Sequence, residues 1–135
     1  MRGRISHHRD TGKKEAEITV KVGKGVKRPE TPIYIPVEDA EFLMSVMCPF
    51  RVIKDRYSVG RWFFDFFRSP LKGVIIAEVN LKSERQKFDI PKFMVDYKEV
   101  TDTLTTKELA RLAYRLKQEG VTDTEDILRA VRKIS

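Results

Sequence analysis

Cysteine is nearly absent: Cys48 is the one cysteine in 135 residues, which excludes an intramolecular disulfide and any zinc site built on a cysteine cluster. A reducing, cytoplasmic setting is the expectation that follows. Long apolar runs are missing too, and none approaches the about 20 residues that cross a bilayer. Met1 to His8 carry charge with no apolar stretch behind them, so neither a secretory leader nor membrane association is expected. Histidine is scarce. His7 and His8 are adjacent with no third ligand beside them, and solvation in a basic arm is the simpler reading. There is no internal repeat and no low-complexity linker, and no Ser–His–Asp or Cys–His nucleophile can be argued from the sequence.

What is present is cationic. Lys and Arg number 27 against 20 Asp and Glu, a formal charge of +7, on a chain that is 41% apolar. That apolar content suits a packed core, and the charge favours an anionic partner. The excess is concentrated at the amino end, where residues 1–28 carry nine cations against three acids, while residues 29–104 carry eleven against twelve.

Ile18, Val20 and Val22 alternate with Glu17, Thr19 and Lys21, the period of a half-buried strand, before Gly23-Lys24-Gly25 breaks it. Ile33-Tyr34-Ile35 reads as a second short strand stopped by Pro36. Val37 to Met47 places Glu38, Asp39 and Glu41 early and spaces Phe42, Leu43, Val46 and Met47 as a helix does. Arg51 to Val59, Arg61 to Phe67 and Gly73 to Leu81 then read as an antiparallel meander. The tail changes period. Thr105-x-x-Glu108 and Thr122-x-x-Glu125 match capping boxes, Leu109, Leu112, Ala113 and Leu116 line one helix, Ile127, Leu128, Val131 and Ile134 line another, and Gly120 separates them. A helix-turn-helix reading of this pair lacks base-reading residues, so packing on the sheet is preferred.

Residues two apart in a strand share a face. Lys54 and Arg56 therefore point together, as do Phe63, Asp65 and Phe67, and Glu78 with Asn80. Arg2 and Arg4 join the set if the amino end is extended. Two arrangements are open: cations gathered with Lys21 around a bound anion, or charges scattered over the surface. Glu78, inside an apolar run, either points inward to a partner or outward to water. Cys48, before Pro49, reads as a small buried apolar group.

The run Arg61-Trp62-Phe63-Phe64-Asp65-Phe66-Phe67, the stretch Leu71 to Glu84, Pro91, and Glu99-Val100-Thr101-Asp102 resemble the second half of the CYTH family, the triphosphate tunnel metalloenzymes. Ile18 to Lys21, Arg28-Pro29-Glu30, Ile35 to Glu41 and Val52 to Tyr57 follow the family's order and spacing. The resemblance spans residues 2–110 and leaves 111–135 as a C-terminal helical extension packed on the barrel. It implies an α+β fold: an antiparallel eight-stranded β-barrel, its first strand missing here, with a short helix after the fourth strand region and a C-terminal helical pair. It also implies a tunnel that holds a triphosphate on basic residues, with Mg²⁺ or Mn²⁺ on acids, and members that hydrolyse or cyclise triphosphates. By the same resemblance Arg2, Arg4, Lys21, Arg28, Lys54 and Arg56 would bind phosphate, and Glu30, Asp65 and Glu78 would bind metal.

The departures from the family pattern are asymmetric. The opening E-x-E-x-K strand has no counterpart. Pro32, Phe63 and Asn80 stand where the resemblance places acids, while most of the candidate cations persist. A hard cation wants several oxygen ligands, so the metal site is expected to be weak. The expected function is binding of a triphosphate, polyphosphate, nucleotide or RNA end with hydrolysis weak or lost. The alternatives are an active metal-dependent triphosphate hydrolase, and a non-catalytic scaffold that binds a protein or nucleic acid, through Arg2, Arg4, Arg9, Lys13 and Lys14 or through the tail. A missing strand would also expose a sheet edge for a protein partner or self-association.

Overall fold

A computed structural model describes residues 2–21, 30–47 and 49–135; the expectations placed on Val22 to Gly25, on Arg28 and on Cys48 lie outside the described residues. The chain divides into two compact units, Met1–Pro49 and Phe50–Ser135.

In the first unit, β1 (Arg2–His7), β2 (Lys14–Lys21) and β3 (Glu30–Ile35) form an antiparallel sheet in that order. Gly12, at φ 71°, turns the β1–β2 hairpin, and His8 N–H donates to the Lys13 carbonyl at 2.8 Å to close it. Register puts Ile5 opposite Ala16, Ala16 opposite Ile35, and Ile18 opposite Ile33, so one face is apolar. The other carries Arg4, Glu17 and Tyr34, which also stand opposite one another. Helix α1 (Val37–Met47) lies against β1 and β2; its early acids suit the positive end of the helix.

In the second unit, β4 (Lys54–Val59), β5 (Trp62–Phe67) and β6 (Ile75–Val79) form the expected meander in the order β4-β5-β6. Two helices follow, α2 (Thr106–Glu119) and α3 (Thr124–Ile134). Thr105 closes a full capping box with Glu108, and Gly120 ends α2 in the left-handed region at φ 69°. The second cap differs from the sequence expectation. Asp123, not Thr122, is the N-cap of α3, its side chain accepting from Asp126 N–H at 3.1 Å. Asp caps as well as Thr and adds negative charge at the positive helix end.

The core of this unit gathers Phe67, Leu71, Val74, Leu109, Leu112, Ala113, Leu116 and Ile127, all buried. The opposite face of the sheet is covered by the chain after β6: Phe88 meets Trp62 edge-on, Phe93 packs on Phe64, and Trp62 Nε1–H donates to the Asp89 carbonyl at 3.2 Å. Trp62 and Phe64 thus pack against a loop.

The α+β class holds, but the closed barrel implied by the resemblance is overturned. Closure needs every strand to have two hydrogen-bonded neighbours, whereas the described residues form two open three-stranded sheets, and β1, β3, β4 and β6 each have one neighbour. Within the second unit there is a further physical reason. Phe67 follows Asp65 by two residues and Ile76 stands opposite Asp65, so both share the charged face; both belong to the helices' apolar core. A face whose one end is filled with hydrocarbon is no wall of a polar tunnel.

Candidate functional site

The second sheet draws four of the sequence-predicted residues together. Arg56 stands opposite Asp65 in the β4–β5 ladder, and Glu78 stands opposite Phe63 in the β5–β6 ladder. Asp65 is only 1% exposed and is fully engaged: Lys54 Nζ donates to Oδ2 at 2.5 Å, Arg56 Nε to Oδ1 at 2.6 Å and Arg56 Nη2 to Oδ2 at 2.7 Å. The two-point grip of a guanidinium on a carboxylate is the strong form of this contact. Arg56 Nη2 also reaches Glu78 Oε2 at 3.1 Å. Lys54 and Arg56 keep 27% and 35% of their side-chain surface in water, and Glu78 keeps 53%. Glu78 is thus both exposed and paired.

Burial pushes the Asp65 carboxyl up, but hydrogen bonds from Arg56 and Lys54 outweigh it and hold the group below the ordinary carboxylate range. The same hydrogen bond to Asp65 raises Arg56 above its usual value. Aromatic rings complete the setting: the Arg56 guanidinium lies 4.9 Å from the Phe63 ring centre, and Lys54 Nζ lies 5.6 Å from that of Phe67.

The expectation of metal binding is corrected among the described residues, and this geometry gives two of the three candidate ligands, Asp65 and Glu78, cationic partners. Asp65 spends both oxygens on cations, and Glu78 is drawn to Arg56. Among the described residues no group of three His, Cys, Asp or Glu side chains is arranged to hold a metal ion, so the donor set does not fit Mg²⁺ or Mn²⁺. His8 is likewise committed, its Nε2 lying 3.0 Å from Glu15 Oε1.

In the first unit, Arg2 and Arg4 do lie two apart on one strand, and Arg4 Nη1 is 3.6 Å from Glu17 Oε1 directly across the ladder. Lys21 stands opposite Glu30 in the β2–β3 ladder. Arg28 is outside the described residues.

Sequence reasoning missed a second cluster. Gly60, Arg61, Phe63, Asn80, Lys82 and Gln86 line a cavity of about 180 Å³ at one end of the second sheet. Arg61 precedes β5 and Lys82 follows β6, and in an antiparallel pair those two ends coincide, a signal the meander already contained. Neither cation makes an ion pair among the described residues. No helix among the described residues is long and apolar enough to cross a membrane.

No protein-family model, curated protein or solved structure matches this chain.

Proposed function

We propose that the chain binds a phosphate-rich anion on the charged face of the β4-β5-β6 sheet, without metal-assisted hydrolysis. The observation that carries this reading is the clamp: a buried carboxylate, Asp65, fixes Lys54 and Arg56 side by side while each keeps surface in water. Preorganised cations lose little freedom on meeting an anion. Lys54 has N–H donors beyond the one given to Asp65, and Arg56 has its Nη1 group. Arg61 and Lys82, at the same sheet and without an acid partner among the described residues, add positive potential.

Glu78 opposes this. Its carboxylate takes the Arg56 donor an incoming phosphate would use. Glu78→Gln removes that competitor at an exposed position, so calorimetric titration with tripolyphosphate is expected to show about two- to fivefold tighter binding, the size of one exposed charge contact. Lys54→Met is expected to weaken binding by a similar factor, with no phosphate released. Equal affinity in wild type and both variants would overturn the reading, and metal-dependent phosphate release would move the chain to the hydrolase class.

A second reading is favoured by one feature of the first unit. The whole hairpin tip from His7 to Lys14 is exposed and includes Arg9, Lys13 and Lys14, a shape and charge suited to a nucleic-acid backbone. RNA binding that weakens steeply with salt, and flattens when these three cations become Ala, is its expected signature.

A further inference from the structure

The cavity beside Phe63 carries chemistry that a bare polyphosphate does not need. Phe63 supplies an aromatic surface. Asn80 supplies an amide that makes no side-chain hydrogen bond among the described residues. Gln86 is held in place, its Oε1 accepting from Lys82 N–H at 2.6 Å, which leaves its NH₂ group as a donor pair. Arg61 and Lys82 bring two cations.

Two facts tie this cavity to the phosphate face. Phe63 belongs to both, since it lines the cavity and lies 4.9 Å from the Arg56 guanidinium. Asn80 follows Glu78 by two residues, and its N–H donates to the Arg61 carbonyl at 2.9 Å, continuing the β5–β6 pairing past the strand end. The size is also informative: about 180 Å³ is below the about 300–1,000 Å³ of a cleft that swallows a drug-sized ligand. It suits one ring system of a ligand whose remainder lies outside.

We infer that this cavity is a nucleobase subsite, so that the ligand of the adjoining cationic face is a 5′-phosphorylated nucleotide and not inorganic polyphosphate. The base stacks on Phe63, the amides of Asn80 and Gln86 meet its edge, and the phosphates extend toward Arg56 and Lys54. Amide side chains offer both donors and acceptors, which is what the edge of a base requires, and aromatic stacking tolerates any base. This inference rests on the phosphate-binding reading and goes beyond it by naming the second half of the ligand.

The test is a calorimetric titration of the full chain with ATP, GTP and tripolyphosphate, in wild type, Phe63→Leu and Asn80→Ala, with melting temperatures recorded for each protein. Both substitutions fall outside the apolar core, so folded variants are expected. In wild type a nucleoside triphosphate is expected to bind about tenfold tighter than tripolyphosphate, within the range of base–aromatic stacking. Asn80→Ala, at a residue that lines the cavity without touching Lys54 or Arg56, should reduce that difference while leaving tripolyphosphate affinity within about twofold, and Phe63→Leu should weaken nucleotide binding by a clearly larger factor than it weakens tripolyphosphate binding. A 5′-triphosphorylated tetranucleotide RNA titrated alongside separates the two sources of such a ligand: the tighter binder names a free nucleotide or an RNA end. Equal affinity for ATP, GTP and tripolyphosphate in wild type refutes the base subsite and leaves the phosphate reading standing. Loss of tripolyphosphate and nucleotide affinity by the same factor in Phe63→Leu also refutes it, since Phe63 would then act only by supporting Arg56. No binding of any of the ligands refutes both.

Discussion

Asp65 is the residue on which the charged face depends. At 1% exposure with three charge-assisted hydrogen bonds, its removal leaves two oriented cations without their shared partner. Asp65→Ala is expected to cost about 3 kcal/mol in urea denaturation, the low end for breaking a buried pair because Lys54 and Arg56 stay partly hydrated. Acid has a related effect. The folded-state carboxyl titrates below the about 3.9 of an unfolded Asp, so the unfolded chain takes up its proton first. The stabilisation is complete above about pH 4 and drains away as pH falls further, through the folded-state value. Urea midpoints should therefore hold between pH 7 and 5 and drop below about pH 4, with a shallower drop in Asp65→Asn. An equally steep drop in that variant would assign the acid sensitivity to another carboxylate. Asp65 was visible in the sequence as an acid sharing a face with Phe63 and Phe67. Its double engagement was not, because strand period says which side a residue takes and nothing about what stands across the ladder.

At the scale of elements, caps and one close approach decide the helices. Thr105 both donates to and accepts from the first turn of α2; Thr105→Ala should lower stability by about 1 kcal/mol, read from the thermal midpoint. The joint between the chain after β5 and the start of α3 is tighter. Gly73 has φ 96°, and a Cβ there would stand 2.6 Å from the Thr124 methyl carbon. Gly73→Ala therefore carries a backbone cost and a collision, together about 1–3 kcal/mol. Adding Thr124→Ser removes the methyl and should recover part of the loss. If the double variant is no more stable than Gly73→Ala alone, the backbone conformation accounts for the whole effect. The helices were legible because caps and 3.6-residue spacing are local signals. The one misplaced cap, Thr122 for Asp123, lay one residue away, where two competent acceptors are adjacent.

For the molecule as a whole, apolar burial is uneven between the two units. Among the described residues, the first buries only Ala16 and Ala40 of its apolar side chains, whereas the second buries Phe64, Phe67, Leu71, Val74 and five residues of α2, with Ile127 of α3. Local opening free energy follows such burial. Amide hydrogen exchange should find the slowest amides in β5 and α2, with β1 to β3 exchanging well before them. Comparable protection in the two sheets would contradict that ordering. It also follows that the candidate site rests on the better packed unit, which keeps a preformed arrangement of Lys54, Arg56 and Phe63 inexpensive to maintain.

By itself the sequence determined the elements and their sidedness: the alternation through Ile18 and Val20, the helix from Val37 to Met47, the three-strand meander, and the shared faces of Lys54 with Arg56 and of Phe63 with Asp65. Each of those follows from a repeat of two or 3.6 residues along a short stretch of backbone. Only the tertiary structure decided that the strands stay as two open sheets, that Phe67 and Ile76 fill one end of the charged face, and that Asp65 serves cations and not a metal. It alone brought Gln86, from the chain after β6, to the sheet end where Arg61 and Lys82 meet. Those outcomes depend on which distant segments pair and pack, and that is settled by the summed burial and hydrogen bonding of the folded chain, which no local period encodes.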